Sequence, residues 1–374
     1  MNSRLAALIG ALAIGALTLR AQSPPTTGAG TQPLRTPWGD PNLQGIWSGE
    51  TLTPLQRPAR FAGKPVLTPE EAAKAITDIE ARPGREDRSF RGTEKDVAAA
   101  YNQIFVQRAS EFSDYRTSLI IDPPDGRVPP QTPAVRKRND DSREYLQALL
   151  QGTSGGRPGP MSPRREEPPP SYNTDRMNRA DGPEDRSLAE RCLGSSVPNL
   201  GAIYQIVQSR GSVGIYHDSG QGQGFARVIP VNASNHAPPG VRFWHGDARG
   251  RWEGDTLVVD ITNFNHKRDF QGARETLHVI ERFRRVSEDR LEYTVTLEDP
   301  TTWASPWTLM VPWKKQSEKA NQVYESTCHE GNYGMTGMLA NTRAAERLFK
   351  QGKGPDPRLQ DNATPGDTGG GLER

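Results

Sequence analysis

The sequence is short of most features that identify a protein class. Past its N-terminal end no segment is apolar enough to span a membrane, so a helical membrane protein is excluded. Neither sign of charge dominates: 47 basic and 45 acidic residues leave a formal charge of +2. A nucleic-acid-binding face needs a concentrated positive field, so that class is excluded too. There is no Gly-x-Ser-x-Gly elbow, no His-Glu-x-x-His, no dinucleotide fingerprint and no phosphate loop. These absences lower the familiar enzyme classes without excluding catalysis. Only 33% of the residues are apolar, while 37 are glycine and 32 proline. Much of the chain is therefore loop or extended backbone around one core with extensions.

What is present begins with the N-terminus. Arg4 precedes an apolar run over residues 5–19 that is rich in small residues, followed by Arg20 and Ala21. This is a signal-peptide layout with cleavage after Ala21, although Leu19 sits where a small residue is usual. The alternative, an uncleaved anchor, suffers because the run is shorter than the roughly 20 residues a spanning helix needs. No cysteine follows the run, which argues against a lipoprotein. The expected location is periplasmic or secreted. Cys192 and Cys328 are the only cysteines. In an oxidising compartment they read as one disulfide. It would close a loop of more than 130 residues, worth roughly 5 kcal/mol in the chain-entropy model. The alternative is a thiolate metal site built from Cys192, Cys328 and His329; no resident metal is assigned.

Residues 22–36 are polar and Pro/Thr/Gly-rich, a flexible linker. Residues 37–151 form a wrapping segment with short helices. Within it, Thr68, Pro69 and Glu71 make a helix start: the threonine caps, the proline takes the first helical position and the glutamate completes a capping box. Residues 82–84 (RPG) stop that helix. Further helices are expected over 94–108 and 142–151, and a short strand at 119–122 before a turn. Residues 152–185 read as a Pro/Gly-rich loop. From residue 203 the apolar period becomes two. Strands are expected over 204–208, 213–216, 225–231, 249–252, 256–264, 276–286, 290–298, 307–314 and 323–328. Short turns and no helices separate them. Such a series is an antiparallel meander that must close into a barrel or a sandwich to bury its apolar face. The β domain is placed at 186–335, and a short helix and disordered tail at 336–374. The fold class is thus mainly β: a lipocalin-like barrel or sandwich with an N-terminal, partly helical, loop-rich wrap.

Strand 277–285 carries the most chemistry. Pairing through a three-residue turn sets Phe283 opposite Tyr293, Val279 opposite Leu297, and Glu281 opposite Val295 on the buried side. A carboxylate there must be paired, hydrogen-bonded or protonated. It is either a general acid/base in a barrel cavity or one half of a salt bridge with Arg227 or Arg249. A one-residue slip would turn Glu281 outward and put His278 inside. His329 and Glu330 follow Cys328 directly, where imidazole beside carboxylate suits proton transfer. The catalytic candidates are therefore Glu281, His278, His329 and Glu330. The ligand-binding candidates are Asp247, Arg249, Trp252 and Trp47. Arg249 can grip a carboxylate or sugar hydroxyl, or Asp247 and Arg249 staple a turn to the sheet. His236 and His266 lie in polar stretches and are expected at the surface.

Four stretches resemble a large family of uncharacterised exported proteins from soil and environmental bacteria. They are 244–264 (WHGDARGRWEGDTLVVDITNF), 39–47 (GDPNLQGIW), 277–283 (LHVIERF) and 324–333 (YESTCHEGNY). The resemblance runs over most of the chain after the leader and implies export, but no activity. One departure is visible. Family members carry an acidic or amide residue and a His-Asp pair just before the ARVIP strand at 226–230. Here that place holds the Gly/Gln-rich 219–224, with His217 and Asp218 displaced upstream. The Gly-x-Trp triplets at Trp47 and Trp252 also resemble those of lipocalin-like barrels, whose opening Trp plugs the barrel floor.

Three functions follow, in this order. The first is a barrel that holds a small apolar or aromatic-faced ligand. The second is a hydrolase or lyase with an acid/base site at the barrel mouth. The third is an envelope interaction or scaffold protein. The sequence sets neither cofactor nor oligomeric state.

Overall fold

A computed structural model of the chain describes residues 34–80, 111–150, 160, 162–166, 182–183, 191–194, 197–201, 203–218, 224–232, 235–317, 323 and 333–357. Its centre is a ten-stranded antiparallel sheet nearly closed into a barrel. The strands are β1 (Gly45–Ser48), β2 (Ile120–Asp122), β3 (Ile203–Ser209), β4 (Ser212–Asp218), β5 (Phe225–Pro230), β6 (Asp247–Glu253), β7 (Thr256–Thr262), β8 (His278–Arg285), β9 (Arg290–Glu298) and β10 (Trp307–Lys315). Alternation decides their faces. Along β9, Leu291, Tyr293, Val295 and Leu297 are buried and the residues between them are half-buried; β8 and β10 repeat the pattern. The inward set forms one apolar core with Trp47, Tyr204, Phe283, Trp307 and Trp313 among its largest members.

The order around the sheet is β5-β4-β3-β1-β10-β9-β8-β7-β6, with β2 also on β10. Two sequence-local meanders, β3–β5 and β6–β10, are therefore joined side by side through β1. The outer edge of β10 is shared: β1 takes its end at Lys314 and Lys315, and β2 takes its start at Thr308 and Leu309. Nine strands alternate in direction along the path, so the two edges, β5 and β6, run the same way. A parallel contact is what closes them: Val231 bridges Gly250 in the parallel sense, and the Asn232 N–H donates to Gly250 O at 2.8 Å. A hairpin cannot join parallel neighbours. Residues 231–232 and 235–246 accordingly belong to a crossover from the end of β5 to the start of β6. Gly246 ends it with φ +72°, and a Cβ there would lie 2.5 Å from Ile261 Cγ2, so only glycine fits.

Three helices are described: α1 (Pro69–Glu80), α2 (Pro133–Leu150) and α3 (Tyr333–Lys350). The capping box at α1 forms in both directions: the Glu71 N–H donates to Thr68 Oγ1 at 3.3 Å, and the Thr68 N–H to Glu71 Oε2 at 2.8 Å. Helix α2 begins nine residues before the expected 142. Thr132 and Pro133 repeat the Thr-Pro start of α1, and the Val135 N–H reaches Thr132 Oγ1 at 3.4 Å. The expected helix at 94–108 and strand at 323–328 lie outside the described residues, apart from Val323. So do the leader and nearly all of the linker. Among the described residues no helix is long and apolar enough to cross a membrane.

Candidate functional site

Inside the barrel, the period-two rule that buries apolar side chains also buries four polar ones. Glu281 of β8, Arg227 of β5, His217 of β4 and Tyr293 of β9 all point inward and are essentially inaccessible. The predicted register holds, with Glu281 opposite Val295, Phe283 opposite Tyr293 and Val279 opposite Leu297. Arg227 crosses the barrel to meet the carboxylate. Its Nη2 donates to Glu281 Oε1 at 3.1 Å, and its Nη1 lies 2.9 Å from Oε2. That second contact is an ion pair too poorly aligned for a hydrogen bond, and neither of its atoms makes one among the described residues. The Tyr293 hydroxyl donates to Oε1 at 2.5 Å. Burial and the Glu281 charge push the Tyr293 phenol well above its ordinary range, so it stays a neutral donor.

His217 completes the cluster. The Arg227 Nε donates to His217 Nε2 at 3.2 Å, which makes that nitrogen the acceptor. Burial, with the charge on Arg227 and the neighbouring His245, drives the imidazole pKa well below its ordinary value. The ring is neutral, so its proton sits on Nδ1. That N–H is buried and has no partner among the described residues. The indole N–H groups of Trp303, Trp307 and Trp313 are buried and unpartnered as well. Tyr204 connects the aromatic and polar groups, stacked on Trp313 with centroids 3.8 Å apart and edge-on to His217 at 5.2 Å. Above this layer His217, Phe225 and His245 form a continuous stack, with spacings of 4.4 and 3.9 Å. The Phe225–His245 pair spans the β5–β6 seam. Arg268 anchors this end through Trp244 O, Leu193 O and His245. Burial pulls its guanidinium down to about 10.

The outer face of β6–β9 carries a second polar row. His236, on the crossover, places Nδ1 3.2 Å from Asp247 Oδ2 and Nε2 3.0 Å from Asp260 Oδ1. His278 places Nε2 3.2 Å from Asp260 Oδ2 and Nδ1 3.0 Å from Glu298 Oε2. Arg249 Nη1 pairs with Asp247 at 2.7 Å, and the Ala237 N–H donates to Asp247 at 2.7 Å. No group of three or more His, Cys, Asp or Glu among the described residues is arranged to hold a metal ion.

The candidates from sequence thus separate. Glu281 faces inward against Arg227, one of the two arginines named for it; Arg249 instead staples the crossover through Asp247 and Asn235 O. His278 lies three residues from Glu281 and hence on the opposite face of β8, so the two do not meet. Their pairing in one catalytic site is corrected by the odd spacing on a strand. His329, Glu330 and Cys328 lie outside the described residues. Cys192 is not a free thiol. Trp47 is fully buried; its Nε1 donates to Leu43 O at 2.9 Å and the Arg285 guanidinium lies 5.7 Å from its ring. It packs as a core residue whose indole N–H is already satisfied. Trp252 packs half-buried against the core. His266 is exposed as expected, whereas His236 is half-buried between two carboxylates. Sequence reasoning did not single out His217, although alternation with Val213 and Ile215 marks it as inward. Comparison with protein-family models and with curated proteins gives no match for this chain.

Proposed function

We propose that the barrel interior binds a small, largely apolar or aromatic-faced molecule that carries a hydrogen-bond acceptor, such as a carbonyl or carboxylate. One observation carries this reading: the unpartnered, fully buried Nδ1–H of His217, beside Tyr204 and Phe225. A buried donor without a partner costs about 1–3 kcal/mol, and a ligand acceptor would recover it. The Trp313 indole, stacked on Tyr204, is a second buried donor without a partner among the described residues. Two such donors favour a ligand with acceptor atoms. Glu281 serves in this reading as the counter-ion that holds Arg227 and Tyr293 in place, because both are already committed to it.

The hydrolase or lyase reading loses support, since Glu281 and His278 stand on opposite faces of β8. We further read the protein as exported, periplasmic or secreted, on its N-terminal apolar run. In that setting Cys192 and Cys328 would be bridged, which accords with the absence of a free thiol at Cys192.

Native mass spectrometry of the protein recovered from an oxidising compartment tests both statements. The expected result is a non-covalent organic adduct, lost in His217→Phe, on a chain two hydrogen masses below the reduced form. A bare chain whose tryptophan fluorescence is unmoved by millimolar aromatic ketones and carboxylates would overturn the ligand reading.

A further inference from the structure

The outer row of Asp247, His236, Asp260, His278 and Glu298 raises a question of proton count. Each imidazole faces a carboxylate oxygen with both of its nitrogens, at 3.0–3.2 Å. A neutral imidazole has one N–H and one lone pair. In that state one of its two contacts sets a lone pair against an anionic oxygen, which is repulsive. All four contacts are attractive only when both rings are imidazolium. Charge gives the same answer. The three carboxylates are matched by Arg249, paired with Asp247 at 2.7 Å, and by two imidazolium charges. Without those two protons the row carries two uncompensated negative charges within a few ångströms.

We propose that this row is a proton-dependent clasp. It locks the crossover onto the outer wall of β6 and β7 when both histidines are charged and releases it as they lose their protons. The groups facing the clasp are known on every side: Asp247 and Arg249 from β6, Asp260 from β7, His278 from β8 and Glu298 from β9. What the clasp holds is also specific. Asp247 takes the Ala237 N–H as well as His236, and Asn263 Nδ2 donates to Ala237 O at 2.9 Å. Farther on, the backbone of Phe243 stays tied to Asn263 and Asn265. The part loosened is therefore His236 and the Ala237 amide, while proton-independent bonds from Arg249 to Asn235 O, Asn263 to Ala237 O and Arg242 to Glu275 O keep the flanks in place. The clasp is therefore closed on the acid side, where both rings hold their protons, and open on the alkaline side, where they do not. This inference concerns the outer wall and does not depend on a ligand in the interior.

Amide hydrogen exchange, corrected for its intrinsic pH dependence, reads the clasp directly at Ala237, whose N–H donates to Asp247. Between about pH 5.5 and pH 8.5 its protection is expected to fall about tenfold, while amides of β8 and β9 keep theirs. His236→Gln is expected to show the low protection at both pH values. Side-chain nitrogen NMR supplies a measurement on the unmodified protein: both nitrogens of His236 and His278 should be protonated at about pH 5.5. A neutral His236 at that pH would overturn the proposal. So would protection that does not change with pH, a fall shared equally by every strand, or protection at about pH 8.5 that needs zinc and is lost to chelator.

Discussion

Replacing Glu281 by glutamine tests the inner cluster. The side chain keeps its shape and can still accept from Tyr293, but Arg227 loses its counter-ion. Among the described residues no other carboxylate touches this guanidinium, and its remaining hydrogen-bond partner is the neutral His217. Arg227 stays charged, because Glu281 raises its pKa against the downward pull of burial. Removing one member of a buried ion pair typically costs about 3–5 kcal/mol, since the other charge is left uncompensated in a poorly solvating interior. Glu281 is fully inaccessible and Arg227 nearly so, which places the expected loss at the upper part of that range. With a urea slope of about 3 kcal/mol/M, the midpoint should fall by about 1.3–1.7 M. The double variant Glu281→Leu with Arg227→Met removes both charges. It should regain most of that loss, because well-packed apolar replacements of buried pairs are often neutral or stabilising. A Glu281→Gln loss below about 1 kcal/mol would refute the reasoning, since it would mean that the guanidinium finds solvent. So would a double variant less stable than either single one.

Two further perturbations follow from the same structure. His217 is neutral when folded and binds a proton readily only when unfolded, at its ordinary value of 6.5. Its contribution is therefore intact above that value and is lost as pH falls below it, at about 1.4 kcal/mol per pH unit; His217→Phe should flatten the stability–pH curve by that slope. Gly246→Ala combines a left-handed backbone with a Cβ 2.5 Å from Ile261. It should cost about 2–4 kcal/mol and lower the thermal midpoint, and an unchanged midpoint would show that the crossover can re-route.

The register of β8 against β9 could be read from sequence because two unbroken period-two runs meet at a short turn. Once one pair is fixed, every other pair follows, including the inward Glu281. The same logic assigns His217 and Arg227 to the interior, as each alternates with apolar neighbours on its strand. Helix α1 was legible from its cap alone. What could not be read were partners chosen by tertiary closure. The four residues of β1 carry no signal that their neighbours are β3 and β10. His236 has no periodic context, so nothing local shows that Asp260, 24 residues later, will lie against its ring.

The position of β1 bears on how the molecule assembles. Every other neighbour pair along the barrel path, from β5 to β3 and from β10 to β6, is linked by a nearby stretch of chain and can form early. The pairs Gly45–Ile206 and Trp47–Lys315 instead join residues 161 and 268 positions apart. Bringing such distant segments together costs more loop entropy than local pairing, so these contacts form late. During synthesis β1 therefore stays unpaired until β3 has been made, and its other edge stays open until β10 follows. Ile46 and Trp47 point to opposite faces of this strand, and both gain their full set of sheet neighbours only when β1 joins the two meanders.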